Sequence, residues 1–297
     1  MQIVVSGASG WLGRATISAC NQYLNQNYNL SLFASHERDI HIKGLGNFGV
    51  RELTYDFSQI VKFPELYVHL PFKTKDFQQS MSAESYIYLN RSLISQGVSF
   101  ITNQKPRSVI IVSSGVVSRN IISNGLIDND LYTALKIEEE NLFREACDTV
   151  GANLVVMRLW GASGSEMTQP FKYAIGDLIK QALTSNEIKI YSSKLVYRRY
   201  VDAMQAMAVC VLAALAKKNI VFESGGTVME LDALARIIKE ELNQTSSIFR
   251  TTVLGQIPDF YFSTDTTFET LASEFGIELM SIAEQVNRTA TVVREQL

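Results

Sequence analysis

The first residues constrain the chain most. Gln2 to Ser6 is a short run rich in β-branched apolar residues, and it leads directly into Gly7-Ala8-Ser9-Gly10-Trp11-Leu12-Gly13. Trp11 to Tyr23 then carries apolar residues at helical spacing. A buried strand, three glycines spaced G-x-x-G-x-x-G and a helix in immediate succession restrict the turn between them. The first glycine allows a tight reversal, the second lets a phosphate group approach the backbone, and the third lets helix and strand pack closely. The helix start then offers unpaired N–H groups and the positive end of its dipole to an anion. Gly7, Gly10 and Gly13, with Ser9, Trp11 and Leu12 between them, are therefore candidate contacts for a dinucleotide pyrophosphate.

Apolar segments and helical patterns alternate beyond that turn. Strands are expected at Leu30–Ala34, Val50–Tyr55, Leu66–Leu70, Ser108–Val112 and Asn153–Arg158. Gly44 to Gly49 reads as a loop. Long helices are expected over Ser82–Asn103 and Leu131–Val150, the latter with Glu138, Glu139 and Glu140 on its solvent side. The alternation implies βαβ units and an α/β fold, a Rossmann-type doubly wound parallel sheet with helices on both faces. After about residue 160 the pattern becomes helix-rich, with helices near 171–183, 206–216, 230–242, 266–275 and 278–294 and short strands near 188–191 and 220–222. This divides the chain into a nucleotide-binding domain, 1–160, and a substrate-binding region, 161–297, interleaved with the first.

With 46% hydrophobic and 19% charged residues, the 297-residue chain has the composition of a globular protein. A net charge of −3 and the absence of any basic block argue against a nucleic-acid partner. The longest apolar run, Ala206 to Ala216, is too short to span a bilayer, and the N-terminus lacks the basic start of a secretory signal. Cys20, Cys147 and Cys210 are dispersed and odd in number, which suits a reducing compartment rather than a disulfide framework. A cytoplasmic protein without a membrane partner is expected. His41 and His69 have no metal-ligand spacing to other ligating residues, so no metal is expected.

The end of the second strand reads Leu32-Phe33-Ala34-Ser35-His36-Glu37-Arg38. A carboxylate at the strand end would hold the ribose 2′-hydroxyl of NAD, but Ala34 stands there. Ser35, His36 and Arg38 can instead face a 2′-phosphate, which favours NADP over NAD; the alternative is that His36 and Arg38 are ordinary solvated loop residues.

Further along, Tyr132-Thr133-Ala134-Leu135-Lys136 places a phenol and an ammonium one helical turn apart. Such a cation lowers a phenol's pKa, which lets the tyrosine exchange a proton with an alcohol or ketone. By itself the spacing is common on helix surfaces. It gains meaning by following a strand that ends Ser113-Ser114-Gly115, where a hydroxyl can orient a substrate oxygen. Ser114, Tyr132 and Lys136 are the catalytic candidates, and Lys136 with Tyr132 can also hold the nicotinamide ribose.

These motifs together resemble the extended short-chain dehydrogenase/reductase family, also called the NAD-dependent epimerase/dehydratase family, over nearly the whole chain. The glycine loop, Ser113-Ser114, Tyr132 and Lys136 carry the likeness. Asp56-Phe57 resembles the family's adenine-contacting position, His69-Leu70 its cofactor-side segment, and Asn90 its helix asparagine. Arg158-Leu159-Trp160-Gly161 and Tyr200-Val201-Asp202 resemble two later family segments. The resemblance implies Leu70, Asp56 and Phe57 as cofactor contacts, a nucleotide-sugar substrate and a homodimer. Trp160 and Arg199 are candidate substrate contacts, each with a structural role as its alternative.

Departures refine the expectation. Gly161 replaces an asparagine that helps hold the diphosphate of nucleotide sugars in the family, and Pro71 replaces a small residue after His69-Leu70. Gly115-Val116 stands where dehydratases carry an acidic pair, so a 4-keto reductase or epimerase is expected ahead of a dehydratase. A reductase of a non-nucleotide carbonyl compound, or a non-catalytic NAD(P)-binding regulatory protein, are the alternatives.

Overall fold

The computed structural model describes every residue except 26, 54–62 and 252–254. Strand β1 (Gln2–Ser6) and helix α1 (Trp11–Tyr23) flank the glycine turn as expected. Strand β2 (Asn29–Ala34) is followed by β3 (Arg38–Ile42) and β4 (Gly46–Glu52). Strand β5 (Leu66–His69) leads through a 3-10 turn, Lys75–Ser80, into α2 (Ala83–Gln104). Strand β6 (Ser108–Ser114), α3 (Gly115–Ile122), α4 (Leu131–Val150) and β7 (Asn153–Leu159) complete the region that bears the Tyr132–Lys136 pair. Beyond it come β8 (Ala162–Ser163), α5 (Ala174–Thr184), β9 (Glu187–Ile190), β10 (Val196–Asp202) and α6 (Ala203–Leu215). The chain ends through β11 (Ile220–Glu223), β12 (Thr227–Glu230), α7 (Leu231–Glu241), β13 (Ser247–Arg250), β14 (Asp259–Tyr261), α8 (Thr267–Glu274) and α9 (Ile282–Glu295).

These elements form two compact units, one of residues 1–159 with 207–222, the other of 160–206 with 223–297. The first is an α/β unit around an eight-stranded sheet of order β11-β7-β6-β5-β1-β2-β4-β3. β1 runs parallel to β2 and β5, β5 to β6, β6 to β7, and β2 to β4. Only full burial on both faces explains strands as apolar as β1, β5 and β6, and Ile3, Val5, Leu66, Val68, Val109 and Ile110 are all essentially inaccessible. On one face, Tyr67, Ile94, Phe100, Ile101 and Phe143 pack α2 and α4 onto the strands.

The loop expected over Gly44–Gly49 is a correction. β4 begins at Gly46 and pairs antiparallel with β3 from Arg38↔Val50 to Ile42↔Gly46. Ile40 and Ile42 are buried in this edge hairpin, whereas Arg38, Asp39 and His41 are exposed. The glycines there read as turn residues in sequence; Gly44 does lie in the turn, and pairing against β3 draws Gly46 and Gly49 into the strand.

The second unit is less purely helical than expected. β10 pairs with β12, β14 and β8, and β13 pairs with β9. Its core gathers Ile179, Tyr200, Leu234, Ile238, Val286 and Val293. Among the described residues, no helix is long and apolar enough to cross a membrane.

Candidate active site

Local geometry explains the glycine turn. Gly7 has φ +79°, a conformation costly for any residue with a Cβ, and a side chain there would press on Leu70 and Pro71 at 3.1 Å. At Gly13 a Cβ would lie 2.4 Å from the Gly7 carbonyl, so α1 can start this close to the turn only with glycine. Gly10 is the N-cap of α1; no side chain caps the helix and its first turn has no acid. The leading N–H groups of α1 therefore have no side-chain competitor for an anion. Ala8 N–H donates to Phe33 at 2.9 Å and Leu70 N–H to Ser6 at 3.2 Å, which ties the turn to the ends of β2 and β5. These residues fit a dinucleotide pyrophosphate. Ser9 lies in the same turn, its carbonyl accepting a bond from Arg14.

At the end of β2, Ala34 is buried and Ser35 is exposed. Arg38 is exposed at the start of β3. Asp56 and Phe57 lie outside the described residues.

The catalytic candidates converge where β6 meets α4. Ser114 ends β6, and its hydroxyl hydrogen-bonds the Tyr132 phenol. α4 starts at Leu131, just before Tyr132, and is capped by Asp130, whose Oδ1 accepts the Thr133 N–H at 2.9 Å. The turn from Tyr132 to Lys136 is thereby fixed against β6. The Lys136 Nζ lies inward, donating to the Val112 carbonyl at 3.0 Å and to Glu139 Oε2 at 2.7 Å. Its third neighbour is the face of Phe72, 3.8 Å from Nζ to the ring centroid. Phe72 in turn meets the Tyr132 ring edge-on at 5.7 Å.

Two expectations need correction here. The glutamates 138–140 do not form a solvated face. Glu139 is 2% exposed and pairs with Lys136, and Glu140 is 4% exposed and pairs with Arg158; only Glu138 reaches outward, to Arg91. Nor does Lys136 leave the phenol acidified. Burial raises the Tyr132 pKa, and Glu139 and Asp130 push it further up against the Ser114 hydrogen bond and the Lys75 charge. The ammonium expected to lower it is held by a carboxylate instead.

Phe72 and Glu139 are the neighbours that sequence reading missed. Glu139 had a signal: it stands three residues after Lys136, on the same helix face. Phe72 had none, because its position depends on Asn90. Asn90 clamps the following residue, its Oδ1 accepting the Lys73 N–H at 2.8 Å and its amide donating to the Lys73 carbonyl at 3.3 Å. His69, behind this layer, is wholly buried, its Nδ1 meeting the Tyr67 hydroxyl at 2.9 Å and Ser6 Oγ at 3.2 Å.

The candidate substrate contacts in the second unit are engaged internally. Trp160 is 7% exposed; its indole N–H donates to Glu223 and its ring meets Tyr261 at 4.8 Å. Arg199 is 6% exposed and donates to the carbonyls of Gly226, Ser263 and Asp265 and to the Glu269 carboxylate. A guanidinium so occupied fits the structural role that was the alternative for Arg199. Arg198 is likewise paired with Asp259, at 2.7 Å. A Cβ at Gly161 would stand 2.4 Å from the Arg199 carbonyl, so close backbone approach demands the glycine that replaces the expected asparagine.

No curated protein sequence matches the chain. Solved structures do. UDP-N-acetylglucosamine 4-epimerase from Methanobrevibacter ruminantium, in complex with UDP-N-acetylmuramic acid, superposes with TM-score 0.75 at 16% identity, covering 100% of this chain and 99% of that one. UDP-glucuronic acid 4-epimerase from Bacillus cereus, with UDP-glucuronic acid and NAD, gives 0.71 at 16% identity, covering 100% of both chains. A double mutant of dTDP-glucose 4,6-dehydratase from Streptomyces venezuelae gives 0.73 at 16% identity, covering 99% of this chain and 97% of that one. At such identities they establish the shared Rossmann-like fold. Residues 3–224 match the model of the NAD dependent epimerase/dehydratase family; with three-quarters of its length matched, the chain belongs to that family of extended short-chain dehydrogenase/reductase enzymes.

Proposed function

We propose that the chain oxidises or reduces a carbinol or keto carbon of a nucleotide-diphosphate sugar, as a 4-keto reductase or epimerase. The observation that carries this reading is the hydrogen bond between Ser114 and the Tyr132 phenol, with Lys136 one turn on and the glycine turn in the same unit. Ser114 orients the substrate oxygen, and Tyr132 gives or takes its proton at the phenolic oxygen. Lys136 supplies the positive charge beside that phenol and a donor for a ribose hydroxyl. A nicotinamide dinucleotide held by its pyrophosphate at Gly7, Gly10 and Gly13 would accept or return the hydride. Several solved relatives carry nucleotide sugars, which favours that substrate class.

Elimination of water is the weaker reading. It needs an acid and a base after Ser114, and Gly115-Val116 opens α3 there instead. NADP is the proposed form of the cofactor, because β2 ends on the buried Ala34 and no carboxylate precedes Glu37. The Bacillus cereus relative is in complex with NAD, so NAD is the competing form. A cytoplasmic homodimer completes the reading, on the family likeness and three buried cysteines.

Two observations favour other readings. Gly161 offers no side chain to a diphosphate, which suits a smaller carbonyl substrate. The capture of Lys136 by Glu139 and Phe72 suits a protein that binds NAD(P) without turnover. One experiment separates them: nucleotide sugars and their 4-keto forms are screened with NADPH, NADH, NADP and NAD, following absorbance and product identity. Conversion by the wild type, lost in Tyr132→Phe while calorimetry still detects the cofactor, supports the enzyme. Cofactor binding without any conversion supports the regulatory reading, and tighter NADH than NADPH binding overturns the cofactor preference.

A further inference from the structure

The carboxylate of Glu139 has no part in the chemistry above, yet it lies at the centre of it. It is 2% exposed, and its Oε2 stands 2.7 Å from the Lys136 ammonium, a distance typical of a charge-assisted hydrogen bond. Burial pushes the Glu139 carboxyl up, and the charge of and hydrogen bond from Lys136 oppose that rise, so the carboxylate depends on the ammonium and the pair holds together as a unit.

The other charges around the phenol are already answered. On α4 itself, Glu140 is held by Arg158 from β7, and Glu138 by Arg91 from α2. Asp130, at the helix start, is paired with Lys75 from the turn after β5. From β5, Tyr67 and His69 are both buried and both kept neutral, the phenol pushed up and the imidazole pushed down by desolvation. Tyr86 of α2 is a neutral phenol donating to the Lys73 carbonyl, and Ser114 of β6 carries no charge. Among these groups, Lys136 and Glu139 form the opposite-charge pair most fully withdrawn from water, their side chains 6% and 2% exposed.

We propose that Glu139 is a positioning residue for the acid–base centre, claiming the Lys136 ammonium in a buried ion pair and so limiting how far that cation acts on the Tyr132 phenol. This rests on the reading of Tyr132 as the proton carrier. Phe72 closes the other side of the ammonium and keeps water from screening the pair. Neutralising Glu139 frees Lys136 toward Tyr132, and neutralising Lys136 leaves Glu139 facing the phenol alone. The two substitutions thus shift the phenol in opposite directions, and together they cancel.

The test titrates Tyr132 directly and needs no substrate. Tyrosinate absorbance is read after a pH jump, before alkaline unfolding, in full-length protein. Subtracting the same protein carrying Tyr132→Phe isolates this tyrosine from the other eleven of the chain's 12. Glu139→Gln is expected to lower the Tyr132 midpoint by about 1 pH unit or more, the scale of one charge within a few ångströms. Lys136→Met is expected to raise it, and the double variant to return near the wild-type midpoint. A midpoint unmoved or raised by Glu139→Gln overturns the proposal. Should Glu139→Gln fail to fold, the double variant, which removes both charges at once, is compared with Lys136→Met. A lower midpoint in the double variant supports the proposal, and equal midpoints overturn it. An absence of turnover on every sugar tested would defeat the proposed function and leave this titration intact.

Discussion

Arg158 and Glu140 meet through two parallel hydrogen bonds, Nε to Oε1 at 3.0 Å and Nη2 to Oε2 at 2.7 Å. They fasten the end of β7 to the middle of α4, four residues beyond Lys136. Arg158 Nη1 adds a bond to Ser118 of α3 at 3.2 Å. The side chains are 16% and 5% exposed, so water does little to screen them. Arg158→Met leaves the Glu140 carboxylate buried and unanswered, and is expected to cost about 3–5 kcal/mol. Arg158→Met with Glu140→Met is expected to cost less than the single change. Urea denaturation of the three proteins checks this, and a double variant less stable than Arg158→Met would contradict it.

Gly161 explains a departure from the family pattern through packing. A Cβ at that position would stand 2.4 Å from the Arg199 carbonyl, and the neighbouring strand β10 cannot yield without disturbing its pairing to β12 and β14. Restoring the family residue with Gly161→Asn is therefore expected to destabilise the second unit by about 1–3 kcal/mol rather than improve binding. A thermal melt reads the loss. A variant as stable as the wild type, with tighter nucleotide-sugar binding, would show that the backbone has room.

What the sequence made legible was whatever local pattern dictates. The glycine turn sits between β1 and α1, and α4 runs over Leu131–Val150, because both obey spacing and capping rules that neighbouring residues carry. The β3–β4 hairpin was not legible, since Gly44, Gly46 and Gly49 all read as turn residues; Gly44 does lie in the turn, and only pairing with β3 makes strand of Gly46 and Gly49. The burial of Glu139 and Glu140 was hidden for a different reason. Three consecutive acids look solvated until the partners that answer two of them, Lys136 and Arg158, are placed in space. Trp160 and Arg199 were marked as candidates by residue type alone, and side-chain type does not reveal whether its donors are already engaged.

His69 gives the molecule a pH-dependent stability. Burial, and then the nearby Lys136 charge, push its pKa down to about 3, so the folded protein holds the ring neutral. An unfolded histidine takes up a proton near pH 6.5. Stability from this group is complete above pH 6.5 and is lost as pH falls toward 3, because only the unfolded state binds the proton in that window. The slope for one proton is about 1.4 kcal/mol per pH unit, so about 2 kcal/mol should be lost between pH 6.5 and 5. Denaturant titrations at both values, with His69→Asn as the reference, measure it. An equal pH dependence in the variant would assign the slope to other groups.

Asp130 couples the fold to the chemistry from the other end of the same helix. Its Oδ1 accepts the Thr133 N–H at 2.9 Å and the Thr133 hydroxyl at 3.1 Å, while its other oxygen pairs with Lys75. Burial alone would raise its pKa, but the bonds from Lys75 and Thr133 outweigh it and hold the carboxyl below the usual range. A depressed carboxylate contributes stability above its unfolded pKa, near 4, and loses it as pH falls through the lower folded value. Asp130→Ala removes the cap, at a cost of about 1 kcal/mol. Tyr132 lies in the turn so loosened, two residues on, whereas the glycine turn is built from β1 and α1. The variant is therefore expected to lower kcat while its affinity for the dinucleotide stays within about twofold, a change of less than 0.5 kcal/mol. Asp130→Asn, which keeps an accepting oxygen for Thr133, should recover most of the lost rate. Equal losses of rate and of cofactor affinity in Asp130→Ala would mean that the cap supports the whole unit rather than the placement of the phenol.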